Sequence, residues 1–280
     1  MLARHDDGSV DRSVDETTSA AGTAASRFHG RRLRHIAGAA ALLGLLCAAA
    51  FGWRWWSTQA AFLRYEPAEG DVVFQSLPHG PVVWAIEGVT GSPYSHCGIV
   101  ARREGRWVVY EAYGEVSATP LRTFLFRGRG GGFVVYRLRP KHRGHIPQTL
   151  ECCTGYLGRP YDIRYRLDDE KIYCSELVYK AYRDATQGQE LGRLVRFGDM
   201  NWRPYETLIE RIEGGAVPVD REMITPAELA RAPQLEPVFS YNLAVERPVD
   251  PADGPVARDR TPRERSEEDQ VAGEDGPDTQ

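Results

Sequence analysis

The stretch Tyr173-Cys174-Ser175-Glu176-Leu177-Val178-Tyr179-Lys180-Ala181-Tyr182 decides how this chain is read. Cys174, Leu177, Val178, Ala181 and Tyr182 recur at i, i+3, i+4, i+7 and i+8, one face of a helix that begins at or near Cys174. Glu176 and Lys180 fall on the other side as an i,i+4 pair, read as exposed. A thiol at a helix start lies by the positive end of the helix dipole, which stabilises the thiolate, the nucleophilic form. Cysteine is also among the most buried residue types, so position alone leaves a packing role open.

Working outward, Gly158-Arg159-Pro160 closes a helix that Pro147 opens and that carries Leu150, Cys153 and Leu157 on one stripe. A loop from Tyr161 to Ile172 joins it to Cys174. Residues 66–140 read as strands: Val72–Phe74, Ser95–Ala101, Trp107–Tyr113 and Phe133–Leu138. Pro81 starts a short helix through Trp84, Ile86 and Val89, ended by Gly91-Ser92-Pro93. The hairpin spacing of these β-branched and aromatic runs predicts a largely antiparallel sheet, hence an α+β domain. Downstream, Thr225-Pro226-Ala227-Glu228 is a capping-box pattern with proline at the first helical position.

Two residues in the strands complete a reactive set. In Ser95–Ala101, His96, Gly98 and Val100 face one way, and Cys97, Ile99 and Ala101 the other. Glu111 stands in the next strand, where a carboxylate among apolar residues needs a partner, and an imidazole on the adjacent strand would serve. Cys174, His96 and Glu111 then supply nucleophile, base and a group that orients the base. Cys97 and Cys153 are expected to be inert packing residues. Cys152 falls off the apolar stripe and is the one competing thiol. Asp162 is a substitute orienting acid, and Asp71 reads as a turn or strand-end residue. His142 and His145 lack a ligand set around them, so no metal site is expected. The glycines of 128–132 lack the strand–loop–helix context of a phosphate loop and read as a turn.

The ends of the 280-residue chain have a different character. With 35 basic and 39 acidic residues, the net charge of −4 excludes the global basic surface of a nucleic-acid binder. Residues 246–280 hold 11 acids, 5 bases and no aromatic residue, so this tail is expected to be disordered, as is the polar segment 1–34. Between the N-terminal segment and the domain runs Ile36–Gly52, uncharged and extended by Trp53, Trp55 and Trp56. This approaches the length of a spanning helix, roughly 20 residues, and Arg27, Arg31, Arg32 and Arg34 precede it. The positive-inside rule predicts a single-pass inner-membrane anchor over residues 35–56 with the domain on the periplasmic side. A cleaved signal peptide ending at Thr58-Gln59-Ala60 is the alternative; Leu46 before Cys47 disfavours a lipoprotein.

Taken together, the segments resemble the YiiX/YebB-like group of circularly permuted papain-like cysteine hydrolases in the NlpC superfamily. The matching residues are Gly70–Phe74, Ser95–Val100, Val109–Ala112, Gly158–Asp162, Tyr173–Val178 and Ile224–Ala230. Their order, His then acid then Cys, is the permuted one. The resemblance implies catalytic Cys174, His96 and Glu111, an antiparallel sheet with the Cys helix packed on it, and a hydrolase domain over residues 57–245. It implies cleavage of an amide or ester bond through a thioester, in cell-wall peptide material, without metal or organic cofactor. A lipid acyl hydrolase or acyltransferase on the same scaffold is one rival, favoured by an apolar groove beside Cys174. A non-catalytic membrane-tethered binding module is another. The expected partners are therefore a peptidoglycan peptide or lipid substrate and a membrane, with no nucleic acid.

Overall fold

Every strand from residue 72 onward is paired antiparallel, and the six longest build one sheet around which the molecule is organised. In this computed structural model the described residues are 17–246, with side chains described from Ala40 onward except that of Arg54. A long helix α1 (Thr17–Arg64) leads into β1 (Val72–Gln75), α2 (Pro81–Thr90), β2 (His96–Arg103), β3 (Arg106–Tyr113) and β4 (Glu115–Pro120). Next come α3 (Leu121–Arg127), β5 (Phe133–Leu138), α4 (Ile146–Gly155) and α5 (Cys174–Ala185). The chain finishes with β6 (Val195–Arg196), α6 (Glu206–Glu213), β7 (Glu222–Met223), α7 (Pro226–Ala230) and β8 (Leu235–Tyr241). The sheet order is β4-β3-β2-β1-β5-β8, so β1 and β2 lie in the middle and are covered on both faces.

Alternation along the strands divides the core in two. Cys97, Ile99, Ala101, Tyr110, Ala112, Val134 and Tyr136 face one side, where Leu177, Val178, Ala181 and Tyr182 of α5 and Cys153 of α4 pack on them. Val73, Val100, Val109, Phe133 and Val135 face the other side, closed by Phe124 and Leu125 of α3 and by Tyr65 just beyond α1. Between His96 and Val100 stands Gly98. A Cβ there would lie 2.4 Å from Val109 Cγ1 and 2.8 Å from the Tyr110 carbonyl oxygen, so β2 and β3 approach where a side chain has no room.

Several expectations are corrected. Residues 17–34, read as disordered, form the first part of α1: the alanine-rich start has high helix propensity, and extending a helix already nucleated by the apolar run is favourable. Residues 1–16 and 247–280 lie outside the described residues. Glu246 belongs to the folded part, since its amide donates to the Tyr94 hydroxyl and its carbonyl accepts from Tyr136. The expected span 35–56 lies within α1, with part of its side chains outside the described residues. Among the described residues no helix is long and apolar enough to cross a membrane.

Glu176 and Lys180 are buried rather than exposed, because the 158–172 loop folds over that side of α5. Their ion pair is 2.8 Å long, and the Lys180 ammonium also donates to the Asp168 carbonyl and to Asp169. Burial pushes the Glu176 carboxyl up to about 7, against the pull of Lys180. Asp71 is no simple turn residue: its buried carboxylate accepts from Arg137 at 2.6 and 2.9 Å, from the Tyr65 hydroxyl and from the Ala68 amide.

Candidate active site

Cys174 is the first residue of α5, its helix start held from three directions. Glu176 reaches back to accept from the Tyr173 amide at 3.1 Å. Ser175 Oγ donates to the Ile224 carbonyl, and the Ile224 amide donates to the Tyr173 hydroxyl. The N-terminus of α5 is thus fixed against the segment leading into α7.

His96, the first residue of β2, is 2 % exposed and sits among the rings of Tyr113 and Phe124. Its Nε2 is 2.6 Å from Glu111 Oε2 on β3. Glu111 is fully buried, and Arg127 at the end of α3 grips both its oxygens, Nη1 to Oε2 at 2.7 Å and Nη2 to Oε1 at 2.9 Å. The Arg127 guanidinium lies 4.2 Å above the Tyr113 ring centre, a cation–π contact.

The electrostatics follow from these contacts. Around the Cys174 sulfur, the Cys97 thiol donates a hydrogen bond. Burial opposes ionisation, but His96 and the Cys97 amide add their hydrogen bonds, and the thiol is held well below its ordinary value. Burial alone would lower His96; hydrogen bonds to Cys174 and Glu111 outweigh it and lift the imidazole to about 9. Burial likewise opposes the charge on Glu111, yet His96 and Arg127 bring it down to about 2. A thiolate beside an imidazolium is the state these shifts favour, and it is the reactive state of a cysteine hydrolase.

The structure brings Cys174, His96 and Glu111 together and leaves the substitutes apart. The Asp162 carboxylate accepts from the amides of Arg164 and Arg166 and serves its own loop. The His142 ring lies 3.3 Å from the Tyr182 hydroxyl. Cys153 is buried in the core, and burial pushes its thiol up. Cys152, half-buried on α4, packs against that core.

Cys97 needs correction. It does face away from His96, but that face is the one on which α5 docks, so its thiol meets Cys174; burial pushes it well above the ordinary value. Arg127 and Tyr161 were missed. Tyr161 contacts Cys174 through its hydroxyl, and burial first, then Tyr165 and Cys174, raise it. Arg127 had one available signal: a buried glutamate bound to a histidine calls for a cation, and this one is 16 residues along the chain.

A groove opens beside Cys174, bounded by α2, α6 and the β7–α7 segment. Its walls are Val82, Ala85, Ile86, Phe197, Ile209 and Met223, with Arg164, Glu213 and Arg221 among the lining residues. Glu213 and Arg221 satisfy each other at 2.6 and 3.0 Å.

A family model described as "Permuted papain-like amidase enzyme, YaeF/YiiX, C92 family" matches residues 66–239, more than half of the chain and the whole site. The chain belongs to this family. A permuted papain-like amidase of this kind is a cysteine hydrolase, and the order His96, Glu111, Cys174 is the permuted order. Among its relatives, "Uncharacterized protein YiiX" of Escherichia coli (strain K12) is 32% identical over 190 residues, covering 63% of this chain and 91% of that protein. The crystal structure of "metalloprotein yiiX" from Escherichia coli O157:H7 aligns with a TM-score of 0.57 at 28% identity, covering 63% of this chain and 99% of that one. Among the described residues of the present amidase, no group of three or more His, Cys, Asp or Glu side chains is placed to hold a metal ion.

Proposed function

We propose that this amidase hydrolyses an amide or ester bond next to an aliphatic chain, with Cys174 as nucleophile, His96 as acid and base, and Glu111 as its orienting group. The observation that carries the reading is the apolar groove that Cys174 helps to line. Burying a methylene contributes roughly 0.8 kcal/mol, so such a groove selects substrate by chain length. A cell-wall peptide carries carboxylates and amines that would meet few polar partners along these walls, and removing them from water unpaired is costly. The groove therefore favours the acyl-substrate alternative over cell-wall peptide material.

The thiolate attacks the carbonyl carbon and forms the C–S bond. The backbone N–H of Cys174, a helix-start amide, helps hold the oxyanion. The His96 imidazolium gives its proton to the leaving amine or alkoxide as that bond breaks. Neutral His96 then takes a proton from water, whose oxygen attacks the thioester and releases the carboxylic acid and the thiolate.

The same proposal places the enzyme at a membrane through α1. In the uncharged run Ile36–Trp53 and the tryptophans after it, Leu42, Leu43, Leu45, Leu46, Phe51, Trp53, Trp55 and Trp56 are 52 to 75% exposed. A contiguous apolar surface of this kind fits a lipid environment better than water. By the positive-inside rule, the arginines before the run support an orientation with the domain outside the cytoplasm.

The test uses the full chain in vesicles with two probes, a series of fatty-acyl amides and esters of rising chain length and a muropeptide. Acyl hydrolysis that rises about fourfold per methylene, and is lost in Cys174→Ser, is expected. Turnover of the muropeptide alone would overturn the substrate reading, and full activity in Cys174→Ser would overturn the cysteine mechanism. A reporter fused after Gln280 should be active only outside the cytoplasm; activity inside would reverse the orientation.

A further inference from the structure

We infer that Arg127 is a positioning residue for the reaction, acting on His96 chiefly through Glu111; this rests on the roles proposed above for Cys174 and His96. A glutamate has one more rotatable bond than an aspartate. Alone, its carboxylate would have more ways to point than the one that meets an imidazole. Here that freedom is removed by a two-point grip. Both nitrogens of the Arg127 fork bind Glu111, one to each oxygen, and Oε2 is shared with His96 Nε2. The planar fork matches a carboxylate in a way a lysine ammonium does not.

Arg127 is itself held. Its guanidinium lies over Tyr113, whose ring also packs edge-on against His96 at 5.7 Å. Its side chain is 20% exposed, whereas Glu111 and His96 are sealed from water. The cation therefore spans the boundary between solvent and the buried pair. It also keeps the fully buried Glu111 charged, since a carboxylate with only the imidazole beside it would face the cost of burial with half the compensation. With Arg127 gone, Glu111 is free to rotate or take a proton, and His96 loses the hydrogen bond that fixes its ring toward Cys174. Arg127 makes no hydrogen bond to His96 itself; its polar path to the imidazole runs through Glu111, and Tyr113 lies between them as a packing contact.

The inference is tested on the full chain with iodoacetamide as probe, the alkylation rate of each cysteine being read by mass spectrometry at an acidic pH on the rising limb of the wild-type Cys174 pH profile, where the rate follows the thiolate fraction. Arg127→Ala is expected to slow Cys174 labelling about tenfold, one unit of lost thiolate–imidazolium stabilisation. Glu111→Gln should slow it by a similar factor, and the double variant should fall no further, because one path is cut twice. Arg127→Lys, which keeps the charge without the fork, should lie between wild type and Arg127→Ala and serves if the alanine variant fails to fold. Free guanidinium should restore part of the rate in Arg127→Ala. Multiplying effects in the double variant, or a wild-type rate in Arg127→Ala, would overturn the inference. Wild-type Cys174 labelling no faster than Cys152 would instead overturn the catalytic reading on which it rests.

Discussion

Replacing Gly98 with alanine adds one methyl group and should disable the site from inside the sheet. The added carbon would lie 2.4 Å from Val109 Cγ1, 2.8 Å from the Tyr110 carbonyl oxygen and 3.2 Å from Glu111 Cβ. Ordinary contact begins near 3.4 Å, so β3 would have to retreat from β2 by up to 1 Å. One of the obstructing atoms is backbone, and no rotamer change relieves it. Overpacking of this kind costs about 1–3 kcal/mol. For a domain of this size that corresponds to a Tm lower by roughly 4–8 °C at the middle of the range. The functional effect should be larger than the loss of stability suggests. Glu111 is pushed at its own Cβ, and its 2.6 Å bond to His96 has little slack. We therefore expect Gly98→Ala to remain folded at 20 °C by circular dichroism while Cys174 alkylation, read on the acidic rising limb of its pH profile, slows about tenfold or more. A variant that melts and labels like wild type would refute both the close approach and the coupling of the two strands to the thiolate.

Two more outcomes follow from the buried charges. Glu111 titrates at about 2 in the fold against an ordinary 4.5; its contribution to stability is present above pH 4.5 and lost as pH falls from there toward 2. Urea midpoints of wild type and Glu111→Gln should therefore converge below pH 4.5, and curves that stay parallel down to pH 2 would contradict the ionised pair. Asp71→Asn leaves Arg137 without its carboxylate and should cost about 3 kcal/mol, or roughly 6–12 °C in Tm, read by calorimetry; a change under 2 °C would mean that Asp71 does not hold the sheet to α1.

The sequence shows some of these features and conceals others for physical reasons. Periodicity of 3.6 places the start of α5 at Cys174, and period-2 alternation puts His96 and Cys97 on opposite faces of β2, because both patterns are local. What alternation cannot show is which helix end docks on which face. That is why Cys97 reads as inert packing although its thiol touches Cys174. The same reason hides the burial of Lys180: its cover is the loop 158–172, which carries no periodic signal. β4 and α3 escape notice because Glu115–Pro120 is rich in small polar residues, and seven residues are too few to show a helical stripe. Arg127 is one of many scattered arginines, and only the fold singles it out. The groove beside Cys174 is the product of seven separated segments, so its apolar character has no trace in any single stretch.

The junction between α1 and the domain has a mechanical consequence. Thr58, Ala61 and Tyr65 are buried against the sheet side of the molecule, Gly131 leaves room for Thr58, and Asp71 ties Tyr65 and Ala68 to Arg137. The helix therefore enters the domain as a shaft enters a hub, with no slack chain between them. With the shaft embedded in a bilayer as proposed, the hub cannot swivel freely or drift outward. The groove then works at one height and one bearing above the lipid surface, and substrates that diffuse in that plane meet it repeatedly while those in the bulk do not.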